Sequence, residues 1–185
     1  AYFMMDWSDF QSTTFNLAYS TVAFVDNVGN AEINGLELDA TYKPNDTLTL
    51  SGYVVSNDPS LSEDYYDVSG VLQANSGNRL AYVPELSYVL GLDKVLSIFG
   101  MPGYVSVDYS YTGDRYTSQA NDLKLPSYAI ANMRVGVESG NRSMEVFISN
   151  LTDENGYLSR YDDFGDIRRT QNRPKVIGLR FKYRY

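Results

Sequence analysis

The chain has no cysteine and no histidine among its 185 residues. The first absence excludes disulfide scaffolds, thiol catalysis and cysteine-ligated zinc. The second excludes Ser-His-Asp and Cys-His nucleophile systems and imidazole-bound metals. Basic residues are scarce: 15 Lys and Arg stand against 23 Asp and Glu, a net charge of −8. That balance argues against nucleic acid as a partner, because phosphate neutralisation needs an excess of cations. No run of about 18 apolar residues exists, so no membrane-spanning helix is expected. The most apolar stretch, residues 82–107, is interrupted by Glu85, Asp93, Lys94, Gly100, Pro102 and Gly103. Residues 1–7 have no basic segment leading into an apolar run and a cleavage site. They read as a strand and not as a signal peptide, and the chain reads as beginning inside a longer protein.

What is present is 17 Tyr, 14 Gly and a period of two. Alternation of apolar and polar residues marks half-buried strands. Ile177, Leu179, Phe181, Tyr183 and Tyr185 share one face, with Gly178, Arg180, Lys182 and Arg184 opposite. Val105, Val107, Tyr109 and Tyr111 oppose Ser106, Asp108, Ser110 and Thr112. The same pattern runs through Leu86 to Asp93, with Val89 on the polar side, and through Ala129 to Glu138, Leu36 to Lys43, Leu48 to Val54 and Met144 to Ser149. The weakest segment sets Phe3, Met5 and Trp7 against Asp6 and Ser8. Eight strands and no helix are expected. Beyond Ile148 the phase puts Asn150 with the apolar residues and Leu151 with the polar ones. A bulge near Ser149 and Asn150 would restore Leu151 to the apolar face.

The connections alternate in length. Short ones fall at 44–46, 99–103 and 139–142, each carrying the Gly, Pro or Asn that tight turns demand. Long ones fall at about 15–26, 57–83, 117–126 and 153–173. One end of the sheet thus carries turns and the other carries loops, as outer-membrane barrels do. Tyr recurs near strand ends, where an aromatic girdle sits, and the polar face mixes charges with Ser, Thr and Gly as a wet lumen would. A soluble sandwich or ligand-binding barrel would also alternate, with its apolar face inward. The pattern favours an antiparallel up-and-down transmembrane β-barrel.

Three stretches carry a family likeness: Asn27-Val28-Gly29-Asn30-Ala31 through Gly35-Leu36-Glu37, then Asn150-Leu151-Thr152-Asp153, then Asn172-Arg173-Pro174 leading into residues 178–185. In that order, with residues 7–11 and 111–114 beside them, they resemble the C-terminal barrel portion of a TonB-dependent outer-membrane receptor. The resemblance implies about eight consecutive strands of a larger Gram-negative barrel, with the plug domain, TonB box and earlier strands outside this sequence. It implies a receptor, not an enzyme, for uptake of a scarce nutrient of the siderophore, cobalamin or glycan class. It implies outer-membrane lipid and lipopolysaccharide as surroundings, and contact with the TonB complex only through the missing plug. The terminal strand resembles the signal read by the barrel assembly machinery, carried by Gly178, Phe181, Tyr183 and Tyr185; the family usually ends in Phe, so Tyr185 is a departure. A self-contained eight-stranded barrel with a structural or adhesion role is the alternative.

No cofactor is expected. Asp162, Asp163 and Asp166, and likewise Glu63, Asp64 and Asp67, lie in long loops without the spacing of a calcium loop. Asn150-Leu151-Thr152 matches a glycosylation acceptor only incidentally. Aromatic residues and arginine gather in the second and fourth long loops, and ligand-recognising surfaces favour that mixture. Tyr65, Tyr66, Tyr161, Phe164, Arg168 and Arg169 are the candidates there, with Tyr82, Arg160 and Arg173 nearby.

Overall fold

The computed structural model describes residues 1–14, 24–67, 69–163 and 166–185, all of them strand, turn or irregular chain. Eight strands form one antiparallel sheet: β1 (Tyr2–Trp7), β4 (Ala31–Asn45), β5 (Leu48–Leu61), β8 (Leu86–Ile98), β9 (Met101–Thr112), β12 (Tyr128–Ser139), β13 (Arg142–Ser149) and β16 (Val176–Tyr183). They are hydrogen-bonded in the order β1-β4-β5-β8-β9-β12-β13-β16, so each pairs with its neighbour along the chain. The sheet is open. β1 and β16 are its two edges and do not pair with each other.

The long loops are not plain coil. Each contains a two-stranded ribbon: β2 (Gln11–Thr14) with β3 (Phe24–Asn27), β6 (Tyr65–Tyr66) with β7 (Leu72–Ala74), β10 (Arg115–Tyr116) with β11 (Lys124–Leu125), and β14 (Tyr157–Asp163) with β15 (Asp166–Gln171). All four ribbons stand at one end of the sheet, and the three tight turns stand at the other. At one turn Phe99 and Gly100 both take positive φ (52° and 78°), as a two-residue hairpin loop matched to the sheet's twist requires. At another, Thr47 N–H bonds back to Asn45 Oδ1 at 3.0 Å.

The register puts the expected apolar residues in continuous rows. One row runs Tyr42–Leu50–Leu92–Val107–Met133–Ile148–Ile177, and a row nearer the loops includes Leu38, Val54, Tyr88, Tyr111 and Ala129. These side chains face outward. Leu179 is 74 % exposed and Phe181 67 %. A soluble sandwich would bury this face; here no described residue covers it. β5 carries it over nine residues, Leu48 to Ser56, the length a tilted strand needs to cross a bilayer. Above the band the same parity turns acidic and polar, with Asp6, Glu32 and Asp58 exposed on the outward side. Below it, Lys94 directs its ammonium to Thr47 Oγ1 at 2.7 Å, off the apolar surface. Tyr88 stacks on Tyr111 at 4.9 Å near the loop end, a piece of aromatic girdle.

The first strand corrects the expected facing. Phe3 and Met5 pair with Gly35 and Ile33 on the polar face, while Tyr2 and Met4 point outward. Both parities of this segment are apolar, so alternation could not choose. The choice is made by Phe3, whose ring fills the space over Gly35: a Cβ there would lie 2.3 Å from Phe3 Cζ. Tyr104 stands over Gly136 and Phe147 over Gly178 in the same way, each a directly opposed pair on neighbouring strands. A ring covering a glycine restores the packing the glycine lacks and pins the register. Gly178 thus seats a ring, while Phe181, Tyr183 and Tyr185 project from the edge strand, all exposed.

The polar face is cross-linked. Glu145 accepts from both the Tyr104 hydroxyl and Arg180 at 2.5 Å. Arg134 donates to Ser106 Oγ at 3.1 Å, and Asn132 to Asp108 Oδ2 at 2.6 Å. The phase break after Ile148 is present. Ile148 lies opposite Met133, but Leu151 N–H reaches Ala131 O at 2.7 Å. Three steps on one side match two on the other, and Asn150 absorbs the extra residue at φ 52°.

If the outward face meets lipid, a charge placed there costs far more than one on the other face. Leu90→Arg, near the middle of the band, should destabilise by about 2–4 kcal/mol. Thr41→Arg, at similar height on the opposite face, should cost well under half of that. A refolding titration into lipid vesicles measures both, and equal costs would contradict the facing.

Candidate functional site

The buried apolar core lies at the loop end and not within the sheet. Val28, Ala31, Leu61, Tyr65, Ala74 and Leu80 form it, with Phe10, Ile33 and Val83 packed alongside. It joins the first loop (residues 8–30) to the second (62–85). Polar bonds reinforce the joint: Ser62 N–H donates to Asn30 O at 2.9 Å, and the Tyr65 hydroxyl to Asp26 Oδ2 at 2.9 Å.

The second and third loops are bolted together by Arg79. Its guanidinium donates to Asp114 Oδ2 at 3.0 Å and to Asp114 O at 2.8 Å, lies 5.4 Å from the centre of the Tyr116 ring, and brings Nε to 3.2 Å from Glu85 Oε1. That last contact is an ion pair without hydrogen-bond alignment. The Asn121 side chain clasps the Arg79 backbone from both sides, accepting from its N–H and donating to its carbonyl, each at 2.8 Å. Lys124 adds a second cation at 2.9 Å from Asp114. The Lys124 hydrogen bond, with Arg79 behind it, holds the Asp114 carboxyl below its ordinary range against a partial burial that would raise it. Asp114 in turn raises Lys124.

The third and fourth loops meet at Arg115, which is 5 % exposed and donates to Tyr157 O at 2.9 Å. The fourth loop is tied at its root by Asn150, itself 3 % exposed. Asn150 Nδ2 donates to Glu154 O and Arg173 O, and Oδ1 accepts from Glu154 N–H, all within 3.0 Å. Asp153 Oδ1 accepts from Lys175 N–H at 2.8 Å, and Asn172 bonds both Gly156 and Glu154. The Asn-Leu-x-Asp stretch is therefore a knot that closes a loop of more than twenty residues onto the ends of two strands.

The six candidate loop residues fall in different settings. Tyr65 is 6 % exposed and belongs to the loop core. Tyr66 is exposed, near Asp64. Tyr161 and Arg168 face each other across the β14–β15 ribbon, and Arg169 lies 5.2 Å from the centre of the Tyr157 ring. Phe164 lies outside the described residues, as do the side chains of Asp162, Asp163 and Asp166. Tyr82, by contrast, sits where loops converge. Its phenol is pushed up by burial and by Tyr161, with Arg115 opposing.

A cavity of about 520 Å3 opens between the first three loops. Phe10, Ser12, Thr13 and Val28 line it from the first, Tyr65, Gln73, Ala81 and Tyr82 from the second, and residues 117–120 from the third. Among the described residues no cluster of acidic side chains is arranged to hold a metal ion.

A family model described as TonB dependent receptor-like, beta-barrel, matches residues 1–151. The chain belongs to the TonB-dependent receptor β-barrel family. Solved structures of such receptors share its fold. The ferric yersiniabactin uptake receptor FyuA of Yersinia pestis matches with a TM-score of 0.75 at 17% identity, over 86% of this chain and 24% of that one. The siderophore receptor PiuA of Acinetobacter baumannii matches at 0.72 and 20% identity, over 87% and 23%. The ferric preacinetobactin receptor BauA of the same organism matches at 0.72 and 17%, over 98% and 26%. The chain therefore spans about a quarter of these receptors' length. TonB-dependent receptors are Gram-negative outer-membrane proteins, and the exposed apolar band places this chain in that membrane. The family and fold are those of transport receptors, not of enzymes.

Sequence reasoning singled out the exposed aromatics and arginines of the TonB-dependent receptor loops. It named Tyr82 only as a neighbour, and it missed Arg79 and Arg115, which join the loops, and Gln73 and Gln119, which line the space between them. The partners of Arg79 and Arg115 are 35 and 42 residues away along the chain, and no local pattern announces them.

Two outcomes test this frame. Asp114 has a depressed pKa in the folded chain, so its stabilisation is complete above the unfolded-chain value of 3.8 and fades as pH falls through the folded value. Hydrogen exchange in residues 79–85 and 114–124, corrected for intrinsic rate, should stay slow from pH 7 to about 4 and quicken below. Asp114→Asn should exchange faster from pH 7 to about 4 and lose that dependence. Separately, Asn150→Ala removes three buried side-chain bonds. It should loosen the fourth loop by about 2–4 kcal/mol, at about 0.5–1.5 per bond, read as faster proteolysis within residues 150–175.

Proposed function

We propose that this chain is the C-terminal wall of a TonB-dependent receptor that imports a scarce nutrient too large for passive pores, of the siderophore, cobalamin or glycan class. The observation that carries the reading is the pairing of an outward apolar sheet with a folded cap of four loops at one end. A wall alone would need only short connections, yet these loops are cored, bolted to one another and hollow. The siderophore receptors of the same fold support it. In this reading the plug and the earlier strands lie elsewhere in the full protein, and the TonB complex acts through the plug. β1 and β16 pair with the strands that complete the cylinder, which removes both open edges. Lipid and lipopolysaccharide surround the apolar rows. Phe181, Tyr183 and Tyr185, with Gly178, form the signal that hands the barrel to the assembly machinery.

An outer-membrane fraction probed with an antibody to the β14–β15 ribbon should show a band several times the size of a 185-residue chain. Cells lacking TonB should lose uptake of the nutrient that the intact receptor binds. A band at the size of this chain alone would instead mean a small self-contained barrel and would overturn the proposal.

A further inference from the structure

The cavity between the first three loops has a lining of unusual chemistry for so charged a chain. Its described lining is made of three aromatic rings, two carboxamides, four hydroxyl side chains and small apolar groups, and includes no Lys, Arg, Asp or Glu. Two of the lining side chains are backed by carboxylates. The Tyr65 hydroxyl is held by Asp26 and the Gln73 amide by Asp67 Oδ2 at 3.0 Å. The nearest buried cations lie outside the lining: Arg79 is paired with Asp114, and Arg115 donates through Nη2 to the carbonyls of Tyr157 and Leu158 while its Nη1 has no hydrogen-bond partner among the described residues.

An anionic ligand desolvated in such a place would find no cation in the lining itself to pair with, and an unpaired buried charge is costly. A neutral, hydroxyl-rich ligand finds what it needs. The faces of Phe10 and Tyr82 can cover its C–H surface, and amides and hydroxyls both donate to and accept from its hydroxyls. Gln119 commits its Oε1 to Ala81 N–H at 3.2 Å. Among the described residues its NH2 group and the Tyr82 hydroxyl have no hydrogen-bond partner. The volume lies within the range of about 300–1,000 Å3 typical of small-molecule sites.

We infer that this cavity is a binding site for a neutral polyhydroxylated ligand, a short oligosaccharide, and not for an anionic iron chelate. The inference rests on the receptor reading and narrows its substrate class. Tyr82 supplies the stacking face and Gln119 the donor, and the acidic residues behind the lining turn anions away.

The test uses the intact receptor, purified in detergent. It is titrated with a panel of neutral oligosaccharides of two to six sugar units, and in parallel with a trianionic ferric catecholate chelate. At least one oligosaccharide should bind, and the chelate should not. Tyr82→Ala and Gln119→Glu should each weaken that oligosaccharide at least tenfold, while Phe99→Ala at the opposite end of the sheet leaves it unchanged. Gln119→Glu keeps the acceptor for Ala81 N–H, so the loop joint persists while the donor is lost. Heat-resistant gel mobility confirms that each variant is folded. Binding of the chelate with no oligosaccharide bound overturns the inference, as does a panel with no binder at all. TonB-dependent uptake of the chelate by cells would sink the inference while leaving the receptor reading intact.

Discussion

Backbone pairing is the constraint on which everything else here depends. In hydrocarbon there is no water to satisfy an unpaired N–H or C=O, so a spanning strand is tenable only when both of its edges are bonded. The eight-strand ladder meets that demand for its six inner strands and leaves it unmet on one side of β1 and one side of β16. The side chains then have an unusual freedom. With no core between sheets to fill, the outward rows need only be apolar. The inward face can carry Glu145, Arg180, Asp108 and Arg134, provided each finds a partner.

Register is therefore the quantity the sequence must encode most firmly, since a slip of one residue would turn every charge toward lipid. The chain encodes it twice. Alternation does so over most of the sheet, and the ring-over-glycine pairs do so at β1–β4, β9–β12 and β13–β16. The two devices meet at β1, where alternation is mute because both parities are apolar and the Phe3–Gly35 contact decides.

The eight strands, the alternation of short and long connections and the shift of phase at Asn150 were legible in the sequence, because each has a period, a break in one or the turn residues that end one. The loops were legible only as loops. Segments such as Gln11-Ser12-Thr13-Thr14 and Lys124-Leu125 are too short and too polar to announce a ribbon. Arg79 and Arg115 read as ordinary surface cations until the fold brings Asp114 and Tyr157 beside them. Exposed aromatics drew attention as candidates, yet Tyr65 packs inward and Tyr82, one residue from a proline-containing bend, shapes the hollow. Composition names the aromatic and cationic residues of the loops and cannot say which of them converge.

The acidic collar formed by Asp6, Glu32 and Asp58 has a geometric consequence. Along β4 the outward surface changes solvent between Leu36 and Asn34, yet the strand continues to Ala31 and the core begins only there. Five residues of a tilted strand rise roughly 10–15 Å at about 3.3 Å per residue. The loop cap is therefore held on a pedestal, clear of the hydrocarbon. A molecule diffusing along the cell surface would reach the hollow before it reached the membrane's apolar layer.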